Sequence, residues 1–283
     1  MSGAPTRILH PTDFSDRSFG AFAHALRLAL ASRSRLYLLH VEIDGARRTV
    51  DAAESDWTRF PRIRDILVLW GFLDATDTPS AIEARLGVQI SRDVLVDAHA
   101  RRSIADYAHE HGCDLLVMGT HARQGLKRWL NPSVAEDASQ LARLPCLFVP
   151  QTTRGFVDVR SGAADLDCLL IPVSGQSAAT QTLRRMEAIV RPLADKTRLE
   201  LLHVGHTRPK LLDDDGTELD LPLDVRSGPV VETIVATAGE IGARLIAMAT
   251  TGRHGFVDGL RGSTVERVVR RAPCPVLAVP EHM

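Results

Sequence analysis

The sequence predicts an α/β protein of two tandem, open parallel-sheet domains related by pseudo-twofold symmetry. Three observations lead there. The first is size and balance: 283 residues, 45% hydrophobic and 24% charged, suit a globular chain too long for one small core. The second is an internal repeat. Sliding the chain by 130 residues pairs 115–150 with 245–280, and thirteen positions agree, among them Leu115, Met118, Thr120, Gly125, Ser133, Pro145 and Pro150. At an offset of 163, Arg35-Leu36-Tyr37-Leu38-Leu39-His40-Val41 meets Arg198-Leu199-Glu200-Leu201-Leu202-His203-Val204, and at 161 Ile8-Leu9-His10-Pro11 meets Leu169-Leu170-Ile171-Pro172. The drop from 163 to 130 assigns 33 extra residues to the first copy, between Val41 and Leu115. The third observation is the alternation of short apolar runs with longer amphipathic stretches, the rhythm of βαβ units.

Taken in order, Arg7–Pro11 reads as a strand, Ser15–Ser32 as a helix and Leu36–Val41 as a second strand. Val88, Ile90, Val94 and Val96 give a third strand with an interruption near Asp93. A helix through Ile104, Ala105 and Ala108 can stop at Gly112, followed by a buried strand Leu115–Gly119, a helix Ser133–Leu141 and a last strand Cys146–Pro150. Right-handed crossovers then give a Rossmann-like layer, with ligands expected outside the carboxyl ends of the strands at a switch point. The repeat predicts domains at 1–153 and 154–283, the boundary falling in the polar stretch 151–165, and an insert over about 46–90 in the first. Within the insert, Ile63, Ile66, Leu67 and Trp70 form a helical stripe before Gly71. Ser80 and Glu83 have capping-box spacing, and Leu86 completes a second short helix before Gly87. This hairpin packs on its own domain, or serves as a lid or partner surface.

Composition narrows the function classes. Thirty-four Lys and Arg against 35 Asp and Glu leave a net charge of −1, without the basic field that recruits nucleic acid or anionic membrane. Cys113, Cys146, Cys168 and Cys274 form no CxxC pair and read as reduced thiols. The start MSGAPTR is not an apolar leader, and no apolar run approaches the ~18 residues that span a bilayer, so a cytoplasmic location is expected. No GxSxG, HExxH or Walker A motif is present, and no catalytic residue is assigned. His10, His40, His121 and Asp13 gather near one sheet edge without a defined metal spacing, so no metal is expected. His109-Glu110-His111 fits a helix end, and Asp213-Asp214-Asp215-Gly216 fits a solvated loop rather than a calcium site.

In the second copy, Ala249-Thr250-Thr251-Gly252 is followed, after nine residues, by Gly262-Ser263-Thr264 and a helix. Glycines allow close backbone approach and the hydroxyls can donate, which is the chemistry of a phosphate cradle, although glycines in such a loop also serve plain turning. The run GRHGFVDGLRGSTVERVVRRAPCPVLAVP from Gly252 to Pro280 resembles the universal stress proteins, whose domains carry a G-x2-G-x9-G-[S/T] loop for ATP. So do Pro11-Thr12-Asp13-Phe14-Ser15-Asp16, the two Leu-Leu-His-Val strands and the FPRIRDILVLWGFL insert of some two-domain members.

The resemblance implies nucleotide-binding α/β domains paired through their last strands, Cys146–Val149 beside Val276–Val279, within a chain that can itself form a homodimer. It also implies an ATP site at Pro172, Ser174, Val204, Gly252, Arg253, Gly262, Ser263 and Thr264, with Asp13, Val41, Gly119 and Ser133 as the lesser set in copy one. Both copies depart from the pattern: Ala249 replaces a glycine and Ser174 the strand-one aspartate in copy two, while Ala122 and Pro132 replace glycines in copy one. The expected function is an adenine-nucleotide-binding stress-response module that reports through protein contacts without strong catalysis. The alternatives are a scaffold with degenerate pockets and a slow ATPase.

Overall fold

A computed structural model of the chain describes residues 6–15, 18–42, 57, 60–120, 135, 138–139, 141–151, 153, 155–173, 179–193, 196–212, 217–250 and 263–280. The first repeat contains β1 (Arg7–Pro11), α1 (Phe19–Ser32), β2 (Arg35–Glu42), α2 (Ile63–Leu69), α3 (Ala81–Leu86), β3 (Gln89–Val96), α4 (Ala100–Glu110), β4 (Leu115–Thr120) and β5 (Cys146–Pro150). The second contains β6 (Cys168–Pro172), α5 (Ala179–Val190), β7 (Arg198–Val204), β8 (Leu223–Arg226), α6 (Val230–Glu240), β9 (Leu245–Thr250), α7 (Thr264–Val269) and β10 (Val276–Pro280).

All ten strands form one sheet in the order β3-β2-β1-β4-β5-β10-β9-β6-β7-β8. Every pairing is parallel except the central one, where β5 and β10 run antiparallel. The two last strands are therefore adjacent, as the family resemblance implies. In each repeat the chain moves outward from β1 or β6 and then crosses to the other side. The switch points lie between β1 and β4 and between β6 and β9.

Strand alternation splits the core into two layers. Ile8, Leu36, Leu38, Leu115 and Val117 face a layer with α1, α2 and α5. Leu9, Leu39, Val41, Leu116 and Met118 face α4, α6 and α7. Central strands are buried on both faces, which explains the unbroken apolar text of β4 and β5.

Three sequence expectations need correction. β3 runs unbroken through Asp93, because it is an edge strand and the Asp93 carboxylate accepts a hydrogen bond from the Tyr107 hydroxyl at 2.5 Å. Helix α1 starts at Phe19 rather than Ser15. The Ser80 side chain makes no cap bond to α3; it meets the Thr78 hydroxyl at 2.8 Å instead. The two insert helices otherwise end where their glycines predict, at Gly71 (φ 75°) and Gly87 (φ 69°).

The polar stretch between repeats is more structured than its composition suggests. Val157 and Ala164 form an antiparallel bridge, and Asp165 N–H donates to Phe156 O at 2.7 Å. Buried Phe156 meets the His24 ring edge-on, with centroids 4.4 Å apart. Arg27 Nε donates to Gly162 O at 3.0 Å, and Trp70 Nε1 donates to Val159 O at 3.2 Å. A Cβ at Gly162 (φ 66°) would run into the Trp70 ring, so glycine is required on two counts. Thus α1 and the insert together clamp the connection. Truncating Phe156→Ala should cost about 3–5 kcal/mol, and Gly162→Val should destabilise as well; urea unfolding followed by tryptophan fluorescence measures both.

Two buried histidines link this fold to pH. His24 Nδ1 lies 2.7 Å from Gly20 O, which can only accept, and Val157 N–H donates to Nε2 at 3.3 Å, so the neutral Nδ1–H tautomer fits. His10 Nδ1 is 2.9 Å from Val117 O, and its Nε2 is buried without a partner. Burial pushes each imidazole down from 6.5 to about 4. The unfolded chain then binds more protons, so stability is full above pH 6.5 and falls as pH drops towards 4, by up to ~3 kcal/mol per histidine. His10→Ile, the residue repeat two carries at Ile171, should flatten that slope in denaturation curves between pH 7 and 4.

Candidate functional site

The two switch points place equivalent strand ends at one edge of each repeat. In repeat two these are Pro172, Val204 and Thr250, all partly exposed. Val173 N–H donates to Leu202 O at 2.8 Å, and His203 Nδ1 lies 2.9 Å from Val173 O, tying the end of β6 to β7. Gly205 N–H continues to Arg226 O at 2.9 Å, and a Cβ on Gly205 would strike the His203 ring. That ring therefore lies over bare backbone.

Ser263 stands just before α7 with extended backbone (φ −63°, ψ 159°), and its Oγ accepts from Glu266 N–H at 3.1 Å. Glu266, 4% exposed, pairs with Arg270. The Ser263 oxygen is a helix cap, and its hydroxyl hydrogen remains a donor, the role the sequence gives it. Thr264 is the first residue of this six-residue helix and is partly buried. Ser174, Gly252, Arg253 and Gly262 lie outside the described residues, as do Ser133, His121, Ala122, Pro132 and the 213–216 acidic run.

Repeat one has the same frame with different cover. Val41 and Thr120, at the ends of β2 and β4, are 7% and 4% exposed. Asp13 Oδ1 accepts from the Ser15 N–H at 3.1 Å and the Ser15 hydroxyl at 2.7 Å, so this carboxylate shapes the turn after β1. Phe14 follows in the left-handed region (φ 59°) with its ring 4.3 Å from that of His40. Trp57 and Phe60 close over Phe14 at 4.8 and 6.3 Å between centroids. This aromatic roof went unread in the sequence; its trace was Phe14 beside Asp13 and the spacing of Trp57 and Phe60 ahead of the α2 stripe.

Gly119 is buried, yet a Cβ there would meet Ala21 at 3.7 Å, an ordinary contact. The alanine at the matching position of repeat two, Ala249, is thus sterically compatible with the frame. The histidines are held by backbone: His10 by Val117 O, and His40 Nδ1 by Thr12 O at 2.8 Å with Nε2 3.3 Å from Glu42. Among the described residues no group of three or more His, Cys, Asp or Glu side chains is placed to hold a metal. All four cysteines are buried and none is joined in a disulfide. No helix among the described residues is long and apolar enough to cross a membrane.

A profile of the universal stress protein family matches residues 5–150 and 211–280. The chain belongs to that family. Universal stress protein MJ0531 of Methanocaldococcus jannaschii is 32% identical over 143 residues, covering 50% of this chain and 81% of that protein. Universal stress protein MJ0577 of the same organism is 24% identical over 168 residues, covering 53% and 97%. Among solved structures, a universal stress protein from Archaeoglobus fulgidus aligns with a TM-score of 0.65 at 18% identity, covering 98% of this chain and 97% of that one. A putative universal stress protein from Pseudomonas aeruginosa aligns at 0.60 and 19%, covering 98% and 94%. The tandem form accounts for relatives that match about half of this chain and for structures that match nearly all of it.

The Ser263 cap gives a stability expectation separate from any ligand. Ser263→Ala should lower the unfolding free energy by about 1 kcal/mol, and Ser263→Asp by much less, since aspartate caps as well. Urea denaturation without nucleotide measures both.

Proposed function

We propose that this universal stress protein binds one adenine nucleotide, ATP, at the carboxyl edge of its second repeat and passes that state to a protein partner. Repeats 1–153 and 154–283 divide the labour in this reading. The carrying observation is the difference between the two edges. Val204 and Thr250 are partly exposed, whereas their counterparts Val41 and Thr120 are buried and Phe14, Trp57 and Phe60 gather at that edge; His40 and His203 are alike in being partly exposed. Family membership and the sequence Gly252, Arg253, Gly262, Ser263, Thr264 support the same choice.

In chemical terms, the backbone at Pro172 and Val204 would flank the base and ribose, with Ser174 in place of an aspartate. The Ser263 hydroxyl, its oxygen already capping α7, would donate its remaining hydrogen to a phosphate oxygen. The Glu266 carboxylate, the acid next along α7 from Ser263, is paired with Arg270 rather than held as a general base, which favours binding over turnover. Asp13, Val41, Gly119 and Ser133 make repeat one a structural partner. A cytoplasmic homodimer is the setting this reading assumes.

Native mass spectrometry followed by calorimetric titration tests it. One ATP per chain is expected, lost in Gly262→Val and kept in Asp13→Ala. No heat at millimolar ATP would leave the scaffold reading, and binding that survives Gly262→Val would move the site away from repeat two.

A further inference from the structure

The far edge of the sheet carries a groove that nucleotide binding leaves unused. β3 is the terminal strand, eight residues long, and pairs only with β2 among the described residues. At the opposite terminus β8 has only four residues, a short edge that offers little to a neighbour. Beside β3 lies an open cavity of about 960 Å³. Its lining includes the consecutive run from Val88 to Arg92. Consecutive strand residues point to opposite faces, and the register with β2 sets Gln89 and Ser91 on one face and Ile90 and Arg92 on the other. A cavity touched by both sets runs along the open backbone edge, where N–H and C=O groups face outward. Its far wall is the insert, at the starts of α2 and α3.

The groove differs in charge from the chain as a whole. Arg35, Arg62, Arg64 and Arg92 line it against Asp65 and Glu83, in a protein of net charge −1. Both acids are engaged: Asp65 by Arg64 at 2.9 Å, Glu83 by the Gln89 amide at 2.5 Å. Arg35 is held by Gln89. Arg62 and Arg92 have no carboxylate partner among the described residues. Arg92 is an exposed residue of β3 whose guanidinium lies over the Trp57 ring, 5.7 Å from its centroid, and desolvation there holds it below the usual arginine range. A guanidinium so placed loses hydration without gaining an anion.

We propose that this groove takes an acidic segment of a partner protein in extended conformation, added as a strand beside β3 with its carboxylates on Arg62 and Arg92. Main-chain pairing supplies affinity and alternate side chains supply selection. The same arginines repel basic strands, so they guard the edge while choosing its partner. The insert thereby gains a role separate from the nucleotide edge.

The probes are two fluorescein-labelled heptapeptides of alternating valine and glutamate or valine and lysine, titrated into the full chain by anisotropy. The glutamate peptide should bind, weaken with salt and slow hydrogen exchange across 89–96; the lysine peptide should not bind. The double substitution Arg62→Ala, Arg92→Ala should raise the Kd about tenfold, and Arg62→Glu, Arg92→Glu should favour the lysine peptide. Equal binding of both peptides in the wild type would overturn the proposal, as would an unchanged Kd in a folded double variant. Binding without protection of 89–96, with displacement by inorganic tripolyphosphate, would make the groove a small-anion site and overturn strand addition.

Discussion

The antiparallel pairing of β5 with β10 is the contact on which the remaining architecture rests. Leu147 pairs with Leu277, its own counterpart at an offset of 130, while Cys146 pairs with Ala278 and Phe148 with Val276. Cys146 thus meets the mate of Phe148 and Phe148 the mate of Cys146, so the pseudo-twofold axis passes through the Leu147–Leu277 pair. An isologous contact of this kind needs only one patch that complements itself. Because both strands are central and almost fully buried, neither repeat retains a free inner edge. The two switch points consequently lie on opposite sides of one continuous sheet, and each repeat keeps its own set of carboxyl strand ends.

Departure from that symmetry comes from the insert. Leu36 and Leu199 are matched by the repeat, yet Leu36 is fully buried and Leu199 is 47% exposed. Helices α2 and α3 supply the cover in repeat one, and repeat two has no matching helices among the described residues. The preceding residues Trp57 and Phe60 also reach the carboxyl end of β1 and stack on Phe14. Covering the sheet face and crowding the carboxyl end of β1 are therefore parts of one structural change. Trp70 then ties the same insert to the inter-repeat connection, so its removal would loosen both the domain and the link.

Most of the frame was legible because duplication wrote it twice. β4 and β9, and β5 and β10, begin and end at an offset of 130, so the repeat located these strands. The clamp on the connection was not legible: Phe156 and Val157 stand alone in polar text, and their partners His24 and Trp70 are far away in sequence. The capping boxes show why spacing alone misleads. Ser80 and Ser263 both precede a glutamate by three residues, but Ser80 sits in helical backbone (φ −65°, ψ −20°), where its side chain makes no cap bond. Ser263 has the extended backbone a cap needs and accepts the bond. Sequence gives the pair of residue types; the backbone angle decides between them. Of the candidate site, the strand ends could be read from their positions, whereas the aromatic roof required knowing which face of β1 the insert covers.

Two departures from the family pattern carry less weight against a ligand once local geometry is considered. Asp13, the aspartate that repeat two lacks, spends Oδ1 on the Ser15 N–H and hydroxyl, so part of its role in repeat one is to hold a turn. A glycine at the end of β4 is likewise not demanded by the frame, since a methyl at Gly119 would make an ordinary contact with Ala21. Ala249 can therefore end β9 without distorting it. By contrast, Gly205 is sterically compelled by the His203 ring, and that ring is held to Val173 O at the end of β6. The glycine that geometry does enforce lies beside Val204, at the edge that repeat one covers and repeat two leaves accessible. Loss of the family's residue pattern and loss of the backbone frame are therefore separable, since the frame tolerates Ala249 and still constrains the chain at Gly205.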